Sequence, residues 1–346
     1  MNRVECLHRL LEKHDVSLIL VYSTSNDGRF FRWLTGTPCR SGSNYLCIDR
    51  EALEWLELGY HASDLPSSIL ASARLVGEID EIPAALGELT RNRARIGLIG
   101  DVPFWHLEEV EAKVVDLKPE SDPLLWIKSP DEIQEVALLG SRLVRDIERT
   151  VSGLSQGTTE QEIANILRGH LHADGGREAF PTSIVSGERL QTSTLGAPSN
   201  RPLGPAEALC IDCGIESRAV FSDCTRMYFL PGSPLASSYA RLCDVQKRVI
   251  YQIAPGMTFG AIAKLFGEEL ALCGFVNPNL RLTELGHGIG FALHETPFLM
   301  NAQSEHVQVV PGMVFTLEPE ISVNGYQIRV EDMVAITSTE AILLTS

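Results

Sequence analysis

The sequence predicts a two-domain chain: a smaller α/β domain over residues 1–122, then a larger α+β domain over 123–346 built as an internal duplication. Three observations carry that expectation. At 346 residues the chain exceeds the usual size of one hydrophobic core. Its first half alternates short apolar runs with helical stretches, the pattern of an α/β layer. Its second half contains two segments that match at a fixed offset of 99 residues, the mark of a repeated structural unit.

Element by element, Val4 to His14 has helical spacing, and "VSLILVY" (16–22) follows as an apolar strand. "SNYLCIDR" (43–50) and "ARIGLIG" (94–100) are further strand-like runs. The Pro-containing stretch "LKPESDPLLWIKS" (117–129) holds the domain boundary. "KSPDEI" (128–133) then opens a helix that runs to about Ser152, with Ser129 as N-cap, Pro130 in the first turn and acids next.

The duplication joins "GTTEQEIANILRGHLHADGG" (157–176) to "GMTFGAIAKLFGEELALCGF" (256–275). Gly157, Thr159, Ile163, Ala164, Leu171 and Gly175 fall on Gly256, Thr258, Ile262, Ala263, Leu270 and Gly274. Each copy is a capped amphipathic helix ended by Gly, preceded by another helix and followed by a strand pair. Amphipathic helices resemble one another, but the matching terminators and downstream strands favour duplication.

Those strands carry acids at corresponding places. "EALCIDCGIESRAVFSDCTRM" (207–227) holds Asp212 and Asp223, and "VFTLEPEISVNGYQIRVEDMV" (314–334) holds Glu318 and Glu331. Asn324-Gly325 is a strong hairpin signal, because both residues tolerate positive φ. A turn centred there pairs residues whose numbers sum to 649, so Glu318 faces Glu331 and Glu320 faces Arg329. Centring the other hairpin near Arg218 gives 435, so Asp212 faces Asp223.

Directly opposed like charges destabilise a sheet, and burying them costs far more. One such hairpin alone reads as solvated strand acids. Two in repeat-related positions among apolar neighbours point to a cation site. Oxygen ligands suit hard or borderline divalent ions, with Mn2+ the natural candidate and Zn2+, Co2+ or Fe2+ as alternatives. Four carboxylates exceed the needs of one ion, so two metals are expected. "ELGHGIGFALHETPF" (284–298) supplies nitrogen in His287, within glycines that allow close backbone approach, and in His294.

Composition narrows the partners. Lys and Arg number 29 against 45 acids, a net charge of −16, which argues against nucleic acid or an anionic membrane as partner. The N-terminal apolar run is too short for a signal peptide or for a span of about 20 apolar residues, so a soluble cytoplasmic protein is expected. The 8 cysteines require no disulfide framework. Cys210 and Cys213 form a C-x-x-C, but strand alternation aims them at opposite faces, with Cys210 on the face of Asp212.

These residues resemble the metallopeptidases of the creatinase/prolidase/methionine-aminopeptidase type, whose catalytic domain has the pita-bread fold. The match rests on Asp212, Asp223, His287, Glu318 and Glu331, in order and in residue type. It is supported by "SDCTR", "GHGIG", "HETP", "LEP" and "RVED", by "WIKSPDEI" and "TSIVSGER", and in the first half by "FFRWLTG". The resemblance covers nearly the whole chain. It implies a metal-bound hydroxide attacking a scissile amide, with those five residues as ligands and Glu318 as proton shuttle. It also implies that His294 hydrogen-bonds the substrate or the tetrahedral intermediate, that Arg329 orients ligands, and that the protein is a homodimer.

Departures bear on substrate. Xaa-Pro peptidases carry a His shortly after the "SG" turn, where this chain has Thr192, Ser193 or Thr194; four residues before His287 stands Thr283; and the usual Gly after "EP" is Glu320. Glu320 is therefore expected to pair with Arg329 or to read a cationic substrate group. The functional expectation is an Xaa-Pro dipeptidase or aminopeptidase acting on small peptides. The alternatives are a creatinase- or ectoine-hydrolase-like enzyme acting on a small amide or amidine, a lyase, or a non-catalytic binding protein.

Overall fold

The computed structural model describes residues 3–24, 27–39, 42–49, 53–58, 73–76, 79–173, 175–217, 220–275, 285–299 and 304–346. The chain divides into two compact units, Met1–Leu125 and Trp126–Ser346. Among the described residues no helix is long and apolar enough to cross a membrane.

The first unit runs α1 (Arg3–His14), β1 (Ile19–Ser23), α2 (Arg29–Thr35), β2 (Ser43–Ile48), β3 (Leu53–Leu58), β4 (Ala73–Val76), α3 (Ile82–Thr90), β5 (Arg95–Ile99), β6 (Lys113–Asp116) and α4 (Lys118–Leu125). Among the described residues, six strands form one mixed sheet in the order β4-β3-β2-β1-β5-β6. The α1 helix buries Cys6, Leu7, Leu10 and Leu11, a single stripe at helical spacing. Ile82 and Leu86 of α3 pack on Leu20, Tyr45, Ile96 and Leu98 of the sheet.

The second unit contains α5 (Pro130–Val151), α6 (Glu160–His172), β7 (Arg177–Glu178), β8 (Ser183–Ser186), β9 (Ala208–Cys213), β10 (Ile215–Glu216) and β11 (Cys224–Phe229). Then come α7 (Ala236–Ile250), α8 (Phe259–Leu272), β12 (Gly286–Gly288), β13 (Glu295–Leu299), β14 (Val314–Leu317), β15 (Glu320–Val323), β16 (Tyr326–Arg329), β17 (Asp332–Ile336) and β18 (Ala341–Leu343). The α5 helix starts as its sequence predicts: Ser129 Oγ accepts from Glu132 N, and the Glu132 carboxylate accepts from Ser129 N at 2.8 Å.

The duplication is visible in the backbone. Thr159 and Thr258 each cap a helix, Gly157 and Gly256 have φ of 94° and 92°, and Gly175 and Gly274 have φ of 73° and 76°. Gly157, Glu160 and Gln161 donate N–H bonds to Leu203, Arg201 and Ser199. Gly256, Phe259 and Gly260 donate in the same pattern to Val309, Val307 and Glu305.

Each helix pair covers its own core. Leu143, Ile147, Ile163 and Leu167 pack on Leu209, Ile211 and Cys213 of β9, while Val245, Val249, Ile262 and Phe266 pack on Phe315 and Leu317 of β14. The alternate faces are exchanged: Ala208 and Cys210 join the second core, and Val314 joins the first. Asp212 and Glu318, which continue those alternate faces, therefore point away from their own helix pair. Cys210 and Cys213 lie in different cores, and none of the 8 cysteines, all among the described residues, forms a disulfide.

The 649 register holds. Leu317 pairs with Asp332 in β14–β17, Glu320 with Arg329 in β15–β16, and Asn324 and Gly325 turn the chain with φ of 52° and 82°. Glu318 and Glu331 fall in the gap between these two ladders.

The first hairpin differs from expectation. Asp212 pairs with Thr225 and Cys213 with Cys224, a register of 437, so Asp212 does not directly face Asp223. The Glu216–Phe221 bridge keeps the same register toward the turn. "GIESRAVFS" contains no Asn-Gly equivalent to fix its centre, and moving the centre by one residue shifts the register by two. The face is unchanged, so Asp212 and Asp223 become diagonal neighbours. The turn residues 218–219 themselves lie outside the described residues, as does Thr283.

Candidate metal centre

The five predicted ligands are all buried, none more than 7% exposed. Asp212 is on β9, Asp223 immediately precedes β11, His287 is the middle residue of β12, and Glu318 and Glu331 occupy the break between the β14–β17 and β15–β16 ladders. Free of a ladder partner, Glu331 donates its N–H to Thr225 O and Glu318 donates its N–H to Leu285 O, which ties the four segments together. Gly286 is needed for this approach. It has a φ of 151°, and a Cβ there would lie 2.0 Å from Thr316 O.

Asp223, His287 and Glu331 each offer a ligand atom within 4.8 Å of the others. His287 Nε2 lies 3.7 Å from Asp223 Oδ2 and 3.7 Å from Glu318 Oε1. Those separations are too long for hydrogen bonds. Burial, reinforced by the neighbouring His294, pushes the His287 pKa down to about 3, so the ring is neutral and these contacts are not ion pairs. Its Nδ1 is 3.0 Å from Gly288 O and donates there, which leaves the Nε2 lone pair facing carboxylates. Asp212 and Glu318 lie beside this trio rather than within it.

Arg329 and Arg226 offset only part of the acids' burial and mutual repulsion. Burial, then repulsion from Glu331, raises Asp212 to about 7. Burial with repulsion from Glu331 and Asp212 raises Asp223 well above the carboxylate range, and burial raises Glu331 as well. Asp212 Oδ1, Asp223 Oδ1 and Glu331 Oε1 are buried with no hydrogen-bond partner. Orphaned buried oxygens are rare in native proteins and costly. Three of them beside a neutral imidazole nitrogen fit divalent cations of borderline hardness.

Around these acids lie partners that the sequence reading assigned no role. Thr225 Oγ1 donates to Glu331 Oε2 at 2.8 Å, and Thr316 Oγ1 accepts from His287 N at 3.1 Å. Arg226 donates to Glu331 O at 2.6 Å and Thr345 O at 2.8 Å, and pairs with Asp332. Thr225 and Arg226 stand in the "SDCTR" segment; the period-two step from Asp223 was the available signal for Thr225. Lys128 and Glu295 form an ion pair 1% exposed on each side, with Nζ 2.5 Å from Oε2. Glu295 also accepts from Ala292 N at 2.8 Å, which braces the segment carrying His294.

Of the other predicted site residues, His294 and Arg329 touch the candidate ligands, and Glu320 is held by Thr194. The exposed His294 ring packs 4.3 Å from that of His287. Arg329 ion-pairs with Glu318. Glu320 does not take the Arg329 guanidinium expected from the register; its Oε2 accepts instead from Thr194 Oγ1. The buried Glu318, beside other buried acids, takes the Arg329 guanidinium in preference to the more exposed Glu320.

A family model described as metallopeptidase family M24 matches residues 131–338. The chain is similar to the probable dipeptidase PepE of Mycobacterium tuberculosis, 30% identical over 223 residues, which is 63% of this chain and 58% of that protein. The match thus spans under two thirds of that relative's length. An uncharacterised peptidase of Staphylococcus epidermidis is 27% identical over 246 residues, covering 69% of this chain and 66% of that one. Among solved structures, the prolidase from Pyrococcus horikoshii has a TM-score of 0.83 at 21% identity, over 99% of this chain and 97% of that one. An Xaa-Pro dipeptidase from Bacillus anthracis has a TM-score of 0.84 at 22% identity, over 99% and 96%. These structural likenesses show the fold.

Proposed function

The chain belongs to metallopeptidase family M24, and from that premise we propose that it is a dinuclear-metal hydrolase cleaving a peptide C–N bond of small Xaa-Pro-like substrates. The observation that carries this reading is the clustering of Asp223, Glu331 and a neutral His287, with orphaned buried oxygens on Asp212, Asp223 and Glu331. Asp212, Asp223, His287, Glu318 and Glu331 would hold two divalent ions, with Mn2+ the first candidate. Such ions supply activated water near neutral pH and polarise the scissile carbonyl.

The chain's own groups do the rest. Glu318, whose Oε1 takes a 3.3 Å hydrogen bond from Thr316 Oγ1 and whose Oε2 is paired with Arg329, accepts the proton of the attacking water and returns it to the leaving amine. Arg329 holds that carboxylate in one orientation. His294, exposed and braced through Glu295, donates a hydrogen bond to the substrate carbonyl as charge develops. Assembly as a homodimer is part of this reading, checked by light scattering.

The test is a panel of Xaa-Pro dipeptides, tripeptides and small amides or amidines assayed on chelated protein reconstituted with Mn2+, Zn2+, Co2+ or Fe2+. Metal-dependent release of proline is expected. Turnover of non-peptides alone would replace the peptidase reading with a non-peptide C–N hydrolase. Thr194 and Glu320, the departures from the Xaa-Pro pattern, are the residues that favour that alternative.

A further inference from the structure

Glu320 and Arg329 are direct cross-strand partners, the arrangement in which opposite charges usually pair. Arg329 gives its guanidinium to Glu318 instead. Among the described residues, no Lys, Arg or His lies within ion-pair distance of the Glu320 carboxylate, which is only half-exposed. Its partner is the hydroxyl of Thr194, which supplies one hydrogen bond and no charge.

That hydroxyl is held firmly in place. Thr194 is fully buried, on a segment pinned at both ends. Gly196 N donates to Ser183 Oγ at 2.8 Å, and Ile184 N donates to Gly196 O at 3.1 Å. The wholly buried Glu160 carboxylate gathers Ser186 N and Oγ and Ser199 N and Oγ, at 2.6–3.0 Å, and the Arg189 guanidinium. Glu320 thus presents an oriented, un-neutralised carboxylate two residues from Glu318, at most ~7 Å along the chain.

We propose that Glu320, oriented by Thr194, is a subsite for a positively charged group of the substrate, beside the metal centre. The proposal rests on the hydrolase reading above and assigns the substrate class: small amides bearing an ammonium or guanidinium near the scissile bond. Two sources offer that chemistry, the α-ammonium of the substrate or a basic side chain, and the experiment separates them.

Lys-Pro, norleucine-Pro and N-acetyl-norleucine-Pro are compared on metal-reconstituted wild type, E320Q and T194V. If the basic side chain is read, wild type prefers Lys-Pro over norleucine-Pro by roughly ten- to hundredfold in kcat/KM, the range of a charge-assisted hydrogen bond. E320Q abolishes that preference, mainly through KM. If the α-ammonium is read, the two dipeptides are equal in wild type, and the penalty for acetylation shrinks by a similar factor in E320Q. T194V weakens the same ratio by less, because the charge remains. Both ratios unchanged in E320Q would overturn the proposal.

Should wild type cleave none of these peptides, the peptidase reading fails on its own. The subsite is then read from calorimetric binding of L-lysine amide, L-norleucine amide and hexanamide. Tighter binding of a cationic ligand in wild type but not in E320Q supports the subsite, and equal affinities in both proteins overturn it.

Discussion

Arg329 stands directly across the β15–β16 ladder from Glu320, yet its guanidinium binds the carboxylate of Glu318. In the proposed mechanism this pairing lets Arg329 orient Glu318, the proposed proton shuttle, rather than neutralise its strand neighbour. Arg329→Met is expected to lower kcat by about 10–100-fold, the usual cost of losing a group that orients a ligand. Arg329→Lys recovers little of it, since an ammonium lacks the planar fork. Steady-state kinetics at saturating metal checks both, and an unchanged kcat in the Met variant would remove Arg329 from the mechanism.

Thr225 donates to Glu331 from the wall of the site. Thr225→Val preserves shape but withdraws that hydrogen bond, and a loss of about 10–100-fold in metal affinity is expected. Asp223→Asn and Glu331→Gln remove two of the proposed ligands and are expected to lower bound metal per chain. Elemental analysis after dialysis reads the ligand variants, and competition with a fluorescent chelator reads Thr225→Val.

Metal removal changes how stability depends on pH. In the metal-free chain Asp212 titrates at about 7, against about 3.9 for an unfolded Asp. Between pH ~4 and ~7 the folded state therefore holds a proton that the unfolded state has lost. That contribution is fully present below pH ~4 and is lost as pH rises through ~7. Chelated protein should show a Tm that falls between pH 5 and 8. Metal-loaded protein should not, because the cations favour the ionised acids. Metal uptake should release protons, read by calorimetry in buffers of different ionisation heat. A chelated protein whose Tm rises over that window contradicts the raised pKa of Asp212.

Lys128 and Glu295 are buried together, with the Lys128 ammonium 5.4 Å from the centre of the Phe291 ring. Lys128→Met leaves Glu295 buried and unpaired, at a cost of about 3–5 kcal/mol. The double variant Lys128→Met/Glu295→Met is expected to recover part of that loss. Denaturant unfolding of Lys128→Met, Glu295→Met and the double variant provides the check, and additive effects would mean the two groups are uncoupled.

The local features were legible because their causes are local. Ser129, Thr159 and Thr258 cap helices through groups three residues away, and Asn324-Gly325 sets a register because both residues accept positive φ. The 99-residue repeat exposed the duplication, and the duplication made the paired acids conspicuous. Where the turn carried no such signal, at 214–222, the register came out two residues away from expectation.

What the sequence determined by itself was the repeat, the helix starts, one strand register and the four paired acids with two nearby histidines as ligand candidates, which the family resemblance narrows to five. Each of these follows from periodicity or from a few adjacent residues. Only the tertiary structure decided which carboxylate Arg329 serves, that Thr194 meets Glu320 across 126 residues, and that Lys128 meets Glu295 across 167. Those choices are made by competition among charges in a shared buried space. A linear pattern shows the residues that compete, but the winner depends on distance and burial, which exist only after the chain has folded.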